Sequence, residues 1–360
     1  MKRQAMEGGA IIGQGHYGCV FDPPLLCEDA IKLKKGRRVV GKLAEETDAK
    51  DELHAAKVLS AIPNSNEYFV LADTSTYCKN LVPLNEQPDK KGVKLCEPIK
   101  HYGSKDMVHY TMPFGGISIM KYVESRNKSF PIREIVSHLL EGAALMTLNN
   151  YVHYDIHLGN LLIEGSKARF IDFGFSFSAS EITSETLDER WKVYDPARGH
   201  GEPPEVTIIT GLRKWYSLEG TVKQVAKEKS ALKNAEKMLG LSRFTQMSEF
   251  MKFWNTSVVC KKKDWLGFFK MYWPAFDAWG VGFVILYIYS NAIYIKNVSP
   301  DWPVLSTQLK DLLRGLLRMD PRRRLDCVEA LNMFNPSSRV LSSPSGKAWL
   351  KQRLAVRELI

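Results

Sequence analysis

Cysteine is scarce and unpatterned in this chain. Cys19, Cys27, Cys78, Cys96, Cys260 and Cys327 are scattered over 360 residues, with no Cys-x-x-Cys pair. That spacing excludes a dense disulfide framework, and the expectation is six free thiols in a reducing, cytoplasmic compartment. The N-terminal "MKRQAMEGGAIIGQGHYG" lacks an apolar run of signal-peptide length. Internal repeats and low-complexity tracts are absent. One apolar stretch is nearly long enough to span a bilayer, "FDAWGVGFVILYIYSNAIYI" from Phe276 to Ile295. Asp277 and Asn291 interrupt it, and no basic cluster flanks it closely. A helix buried at the centre of a large domain is apolar on all sides too, so the expectation is a core helix and no membrane span.

What is present is an ordinary globular composition with room for about two domains. The net charge is +10, and much of it is concentrated: Gly211 to Lys270 holds 13 basic and 5 acidic residues. Such an excess suits a phosphate-rich or acidic partner without naming one. To about residue 110, short β-branched or aromatic runs alternate with turn residues, and "KDELHAAKVLSAI" (Lys50 to Ile62) has helical spacing stopped by Pro63. "TYCKNLVPLNEQPDKKGVKLCEP" reads as a long surface connection. Beyond "TMPFGG" (Thr111 to Gly116) helices dominate, beginning with "REIVSHLLEGAALMTLNN".

Three stretches carry chemistry. "GQGHYGCV" sets Gly13, Gly15 and Gly18 around Gln14, His16 and Tyr17, with Val20 following. Glycines let backbone amides approach phosphate oxygens without a Cβ in the way. A dinucleotide-binding unit would need a helix directly after the loop, whereas "CVF" continues as strand, so a hairpin folded over phosphates fits better. A plain Gly-rich surface turn is the alternative. "AIK" (Ala30 to Lys32) places a Lys in a strand; its natural partner is Glu52 on the following helix, with Glu45 and Glu46 as alternatives. "YVHYDIHLGN" holds His153, Asp155, His157 and Asn160. Alone it reads either as a His-x-Asp-x-His metal cluster or as a loop presenting a carboxylate to an alcohol. "LLIEGSKARFI" then reads as a hairpin, leading to "DFG" at Asp172. Two carboxylates and an amide oxygen are donors that suit Mg²⁺ and phosphoryl transfer.

These stretches, in this order, resemble the eukaryotic-type protein kinase family from about Ile11 to Leu331. "EPPE" (Glu202 to Glu205) is similar to the family's Ala-Pro-Glu, and "DAWGVG" (Asp277 to Gly282) to its Asp-x-Trp-x-x-Gly. "DPRRR" (Asp320 to Arg324) supplies the late Arg that in the family pairs with that Glu, here Arg324 with Glu205. The resemblance implies an α+β, bilobal fold: a small antiparallel β-sheet N-lobe with one main helix (1–112) and a larger, mainly helical C-lobe (113–340). A basic insert at about 206–272 and a tail (341–360) complete it. It implies an ATP- and Mg-dependent serine/threonine kinase. The amides of Gly13 to Gly18 would cover the phosphates, and Val20 and Ala30 would line the adenine. Lys32, oriented by Glu52, would hold phosphates, Asp155 would take the hydroxyl proton, and Asn160 and Asp172 would bind Mg²⁺. Under this reading the metal-cluster alternative recedes and His153 braces the loop.

The departures are informative. Tyr154 stands where many members carry the Arg that receives an activation-loop phosphate, so activity is expected without that modification. His157 stands in the place of a Lys, as in haspin-like kinases and in aminoglycoside- or choline-type phosphotransferases, which makes a small-molecule kinase the second reading. A pseudokinase scaffold is the third. Arg198 in "ARGHGEPPE" hints at an acidic or phosphorylated protein substrate. The insert separates Glu205 from Asp277 by about 70 residues and reads as a solvated helical elaboration, with docking to an acidic protein or nucleic acid as the sharper alternative. Its "VKQVAKEKSALKNAEKML" reads as one helix. In overall character the chain resembles kinases of large DNA viruses, which would place it in host cytoplasm or virion.

Overall fold

A computed structural model describes residues 10–15, 18–29, 36, 38–87, 90–102, 106–125, 130–188, 194–197, 201–292 and 301–357. The chain divides into two compact units, Met1–Gly116 with Ile171–Phe175, and Ile117–Phe170 with Ser176–Ile360. The first is built on an antiparallel sheet at the N-terminus and the second is mostly helical.

In the first unit, β1 (Ala10–Gln14), β2 (Gly18–Asp22), β3 (Val39–Glu45), β4 (Asp73–Cys78) and β5 (Met107–Pro113) form one sheet in the order β1-β2-β3-β5-β4. "GQGHYGCV" is the β1–β2 hairpin, closed by Gly15 N–H donating to the Gly18 carbonyl at 2.9 Å. Directly opposed residues share a face of a sheet. Val20, Lys42 and Tyr110 are opposed across β2, β3 and β5, so they line one face. That face packs with Val40, Ala44, Val108 and Met112 on Ala49 and Ala56 of the helix Glu46–Ser60. The helix begins where Glu45 caps the amides of Thr47 and Asp48. The other face carries Phe21, Leu25, Leu43 and Met107 and is covered by Val93 and Cys96.

Here the free-thiol expectation is corrected. Cys19 is bonded to Cys96 and Cys27 to Cys78, leaving Cys260 and Cys327 as buried free thiols. The partners lie 77 and 51 residues apart in the chain, a proximity set by sheet packing and invisible to spacing rules. With four of six cysteines paired, the premise of a reducing compartment is gone. The stretch from Tyr77 onward is likewise more than a surface connection. Its Gln87 is fully buried, accepting from Leu26 N–H and donating to the carbonyls of Leu26 and Val82.

In the second unit the amphipathic helix Ile132–Leu148 packs against the hairpin of β8 (Leu161–Glu164) and β9 (Lys167–Phe170). Two short pairs complete the strands: β6 (Ile117–Ser118) joins β8, and β7 (Tyr151–Val152) joins β10 (Phe177–Ser178). The apolar stretch is the helix Phe276–Ala292, with Trp279, Val281, Val284 and Ile288 fully enclosed. Trp265–Ala292 passes a length-and-composition test for a membrane span, but 72% of its window is buried inside the fold.

The insert is helical, but the stretch read as one helix is two. Two helices, Leu218–Glu228 and Ser230–Leu239, meet at Lys229, whose ψ of 113° breaks the helical run. Their apolar faces are buried through Val222, Val225, Leu232 and Leu239, and the helix Arg243–Thr256 adds Phe250 and Phe253. The basic residues Lys252, Lys261, Lys262, Lys263 and Lys270 are exposed; Lys229 is fully buried. The chain end is ordered as the helix Pro344–Arg357, where Trp349 donates to Asp326 at 3.0 Å and Arg353 pairs with Glu329.

Candidate active site

Within the first unit, one cation sits among carboxylates. Lys42 Nζ is bonded to Glu52 Oε2 and lies 3.2 Å from Asp172 Oδ1. Glu52 is itself nearly buried and accepts a second bond from the Tyr110 hydroxyl at 2.7 Å. The local sequence explains the placement. β3 brings Lys42 onto the face covered by the helix Glu46–Ser60, and Glu52 projects from that helix toward it. Burial opposes the ammonium charge, but Asp172, Glu52 and Tyr110 outweigh it and hold the Lys42 pKa well above its usual value. Asp172 has a φ of 63°, a left-handed conformation that costs a non-glycine residue energy and turns its half-exposed carboxylate toward Lys42. Its neighbours anchor that turn: Ile171 packs into the sheet cluster, and Phe173 meets Phe69 edge to face at 5.7 Å.

Lys32 and Ala30, named from "AIK", lie outside the described residues, as do His16, Tyr17 and Arg198. Among the described residues the lysine placed against Glu52 is Lys42; the pairing expected of Lys32 lies outside them. The apolar residue two positions before Lys42 on the same face is Val40. A usable signal existed: "VVGKLAEE" is a β-branched run that enters directly on the helix bearing Glu52. Between Val40 and Lys42, Gly41 has no room for a side chain, since a Cβ there would lie 2.1 Å from buried His109 Nε2.

Within the second unit, the loop from His153 to Asn160 is held by its backbone. Asp277 accepts the amides of His153 and Tyr154 at 2.8 and 2.9 Å, allowing Tyr154 its left-handed φ of 67°. The Ile156 carbonyl is enclosed by two glycines; a Cβ on Gly201 would lie 2.0 Å from that oxygen, and one on Gly280 2.7 Å. Asp155 is thereby presented half-exposed, with Asn160 Nδ2 donating to its carbonyl and to its Oδ2, both at 3.0 Å. His157 Nε2 lies 3.5 Å from Asp155 Oδ2, while its Nδ1 accepts from Gly159 N–H. Burial alone would raise the Asp155 pKa, but the bonds and charge supplied by His157, His153 and Asn160 outweigh it and hold the carboxyl below its usual value.

His153 is fully buried and packs near Phe170, so it braces the loop. Among the described residues no group of three His, Cys, Asp or Glu side chains is placed to hold a metal ion. Tyr154 lies among Phe177, Phe269 and Phe276, with ring centroids 5.5 to 6.3 Å apart. Glu205 and Arg324 meet in a bidentate, fully buried pair at 2.7 and 2.8 Å.

No protein-family model matches the chain. It is similar to calcium-dependent protein kinase 34 of Arabidopsis thaliana, with 37% identity over 81 residues, covering 18% of this chain. That match spans 15% of the plant protein's length.

Proposed function

We propose that the chain is an ATP- and magnesium-dependent protein kinase that phosphorylates serine or threonine hydroxyls. The single observation that carries this reading is the Lys42 ammonium held between Glu52 and Asp172, a fixed cation beside a carboxylate suited to nucleotide phosphates. The short similarity to a plant protein kinase supports it.

In this reading the backbone amides of Gly13, Gln14, Gly15 and Gly18 neutralise phosphate oxygens, and Val20 and Val40 contact the adenine. Lys42 binds the α- and β-phosphates. The substrate hydroxyl oxygen attacks the γ-phosphorus, the bond from phosphorus to the β–γ bridging oxygen breaks, and Asp155 takes the hydroxyl proton as ADP leaves. Asn160 keeps the Asp155 carboxylate aimed. Magnesium would be held through oxygen by the Asp172 carboxylate and by the Asn160 amide oxygen, since the Asn160 NH₂ donates to Asp155. Bound magnesium supplies charge neutralisation on the transferring phosphoryl group.

A small-molecule phosphotransferase is the second reading, favoured by His157 beside Asp155. Radiolabelled ATP offered with protein and small-molecule panels decides between them, with Asp172→Ala as control. Label is expected on protein Ser or Thr, lost in the variant. Equal transfer by both proteins removes the enzyme reading, and label confined to small molecules selects the second.

A further inference from the structure

The insert contributes a lysine that no motif predicts. Lys229 is fully buried at the break between its two helices, where the chain turns with φ −65° and ψ 113°. A buried ammonium is costly unless it is paired, so a plain helix connector would not retain one. Its Nζ donates to Thr207 Oγ1 at 3.2 Å, and the Thr207 hydroxyl donates in turn to Glu202 Oε1. The charged groups facing Lys229 are Glu202, Glu205 and Asp195, with Arg324 opposing. Glu205 already holds a bidentate bond from Arg324, so the carboxylates left for Lys229 to balance are Asp195 and Glu202, of which Glu202 is the one reached through the Thr207 hydroxyl.

The residue before Glu202 is Gly201, which touches the catalytic loop. A Cβ at Gly201 would lie 2.0 Å from the Ile156 carbonyl oxygen and 3.3 Å from His157 Cβ. A continuous path of bonded and packed atoms therefore runs from Lys229 through Thr207 and Glu202 to the backbone between Asp155 and His157. We propose that Lys229 is a positioning residue for phosphoryl transfer: through Thr207 and Glu202 it seats Gly201 on Ile156 and so fixes the angle of Asp155 and His157. This rests on the kinase reading. It makes the insert part of the catalytic apparatus in addition to any docking role.

The path has two separable links, and each can be cut. Lys229→Met removes the cation at similar volume, and Thr207→Val removes the relay while keeping the lysine. Each is expected to lower kcat about tenfold to a hundredfold, the effect of small misplacements of reacting groups. ATP affinity should remain within twofold, because Lys42, Glu52 and Asp172 belong to the other unit. The double variant should be no worse than the poorer single one, as expected for residues on one path.

Amide hydrogen exchange gives a readout independent of turnover. In either variant residues 201–207 and 154–160 should exchange roughly tenfold faster, while the helix Phe276–Ala292 stays protected. Unchanged exchange at 154–160, or additive losses in the double variant, overturns the proposal. So does a fall in ATP affinity that matches the fall in kcat. Should Lys229→Met not fold, Thr207→Val alone decides. A wild type that transfers no phosphate removes the kinase reading and the catalytic role with it. Normal wild-type transfer with unaltered kcat in both variants removes this inference alone.

Discussion

Arg324 and Glu205 stand 119 residues apart in sequence and meet as a fully buried, bidentate ion pair. Arg324 also donates to the carbonyls of Ala275 and Arg318, at 2.9 and 2.8 Å. One side chain thus ties the start of the helix Pro204–Arg213 to the approach of the helix Phe276–Ala292 and to the "DPRRR" turn. Removing one partner strands the other charge in a dry interior. Glu205→Ala should cost about 3–5 kcal/mol in urea unfolding. The pair replacement Glu205→Leu with Arg324→Met should cost less than either single change, because it leaves no orphaned charge. A double variant as unstable as the sum of the singles contradicts this account.

The choice between lysines has a direct test. Lys42→Met should weaken ATP binding and lower kcat by about 10²–10³, the range seen when one preorganised charge-stabilising group is lost. Lys32→Met should leave both within a few-fold. Parallel ATP titrations and steady-state assays of the two variants check it, and the reverse ranking would restore the sequence-based assignment.

What could be read in advance was what is contiguous. The loop around Asp155, the hairpin Leu161–Phe170 and the Asp172 turn are short strings whose neighbours in sequence are also neighbours in space. The strand-rich N-terminal part and the helical remainder followed from hydrophobic period. Lys42 was missed because a strand lysine is chosen by register, and register is fixed by the pairing of β3 with β2 and β5. The crosslinks were missed for a similar reason: Cys96 reaches Cys19 only because its segment covers one face of the sheet. The kink at Lys229 carries no glycine or proline, and its side chain makes a tertiary bond to Thr207 that no local pattern encodes.

Tyr154 bears on control. Its ring is packed among Phe177, Phe269 and Phe276, and Phe269 comes from the insert. In the proposed kinase reading this is the place of a cationic phosphate receptor, and an aromatic cluster carries no positive charge to fill that role. Phosphatase treatment of the purified protein should leave kcat within twofold, despite Ser176, Ser178 and Thr183 nearby in sequence. Loss of activity on dephosphorylation would place the phosphate's receptor elsewhere.

The acid side of the pH profile should report Asp155. A proton acceptor works as the carboxylate, and the surrounding donors hold its pKa below the usual value. Activity present at neutral pH should therefore persist as pH falls and be lost only at or below the ordinary carboxylate range. Asp155→Asn should lower kcat by about 10²–10⁴ with little change in ATP affinity. In His157→Ala a bond and a favourable charge are gone, so the acid limb should move upward. An acid limb near neutrality in the wild type would assign the titration to another group.

The two crosslinks make the first unit sensitive to reductant in a predictable direction. Cys19 lies in β2, immediately after the Gly-rich turn, and Cys96 lies in the segment covering that face of the sheet. The bond closes a loop of 77 residues, and in the chain-entropy account such a loop stabilises by about 4 kcal/mol through the unfolded state. Cys27–Cys78 closes a shorter loop and should contribute somewhat less. Cys260 and Cys327, both buried free thiols in the second unit, provide an internal control, since reductant has no bond to break there. Adding a phosphine reductant should lower the unfolding midpoint of the first unit and leave that of the second unchanged. Cys96→Ser should reproduce most of the shift, with reductant then adding only the Cys27–Cys78 share. Equal midpoints with and without reductant would mean that packing alone holds the covering segment on the sheet.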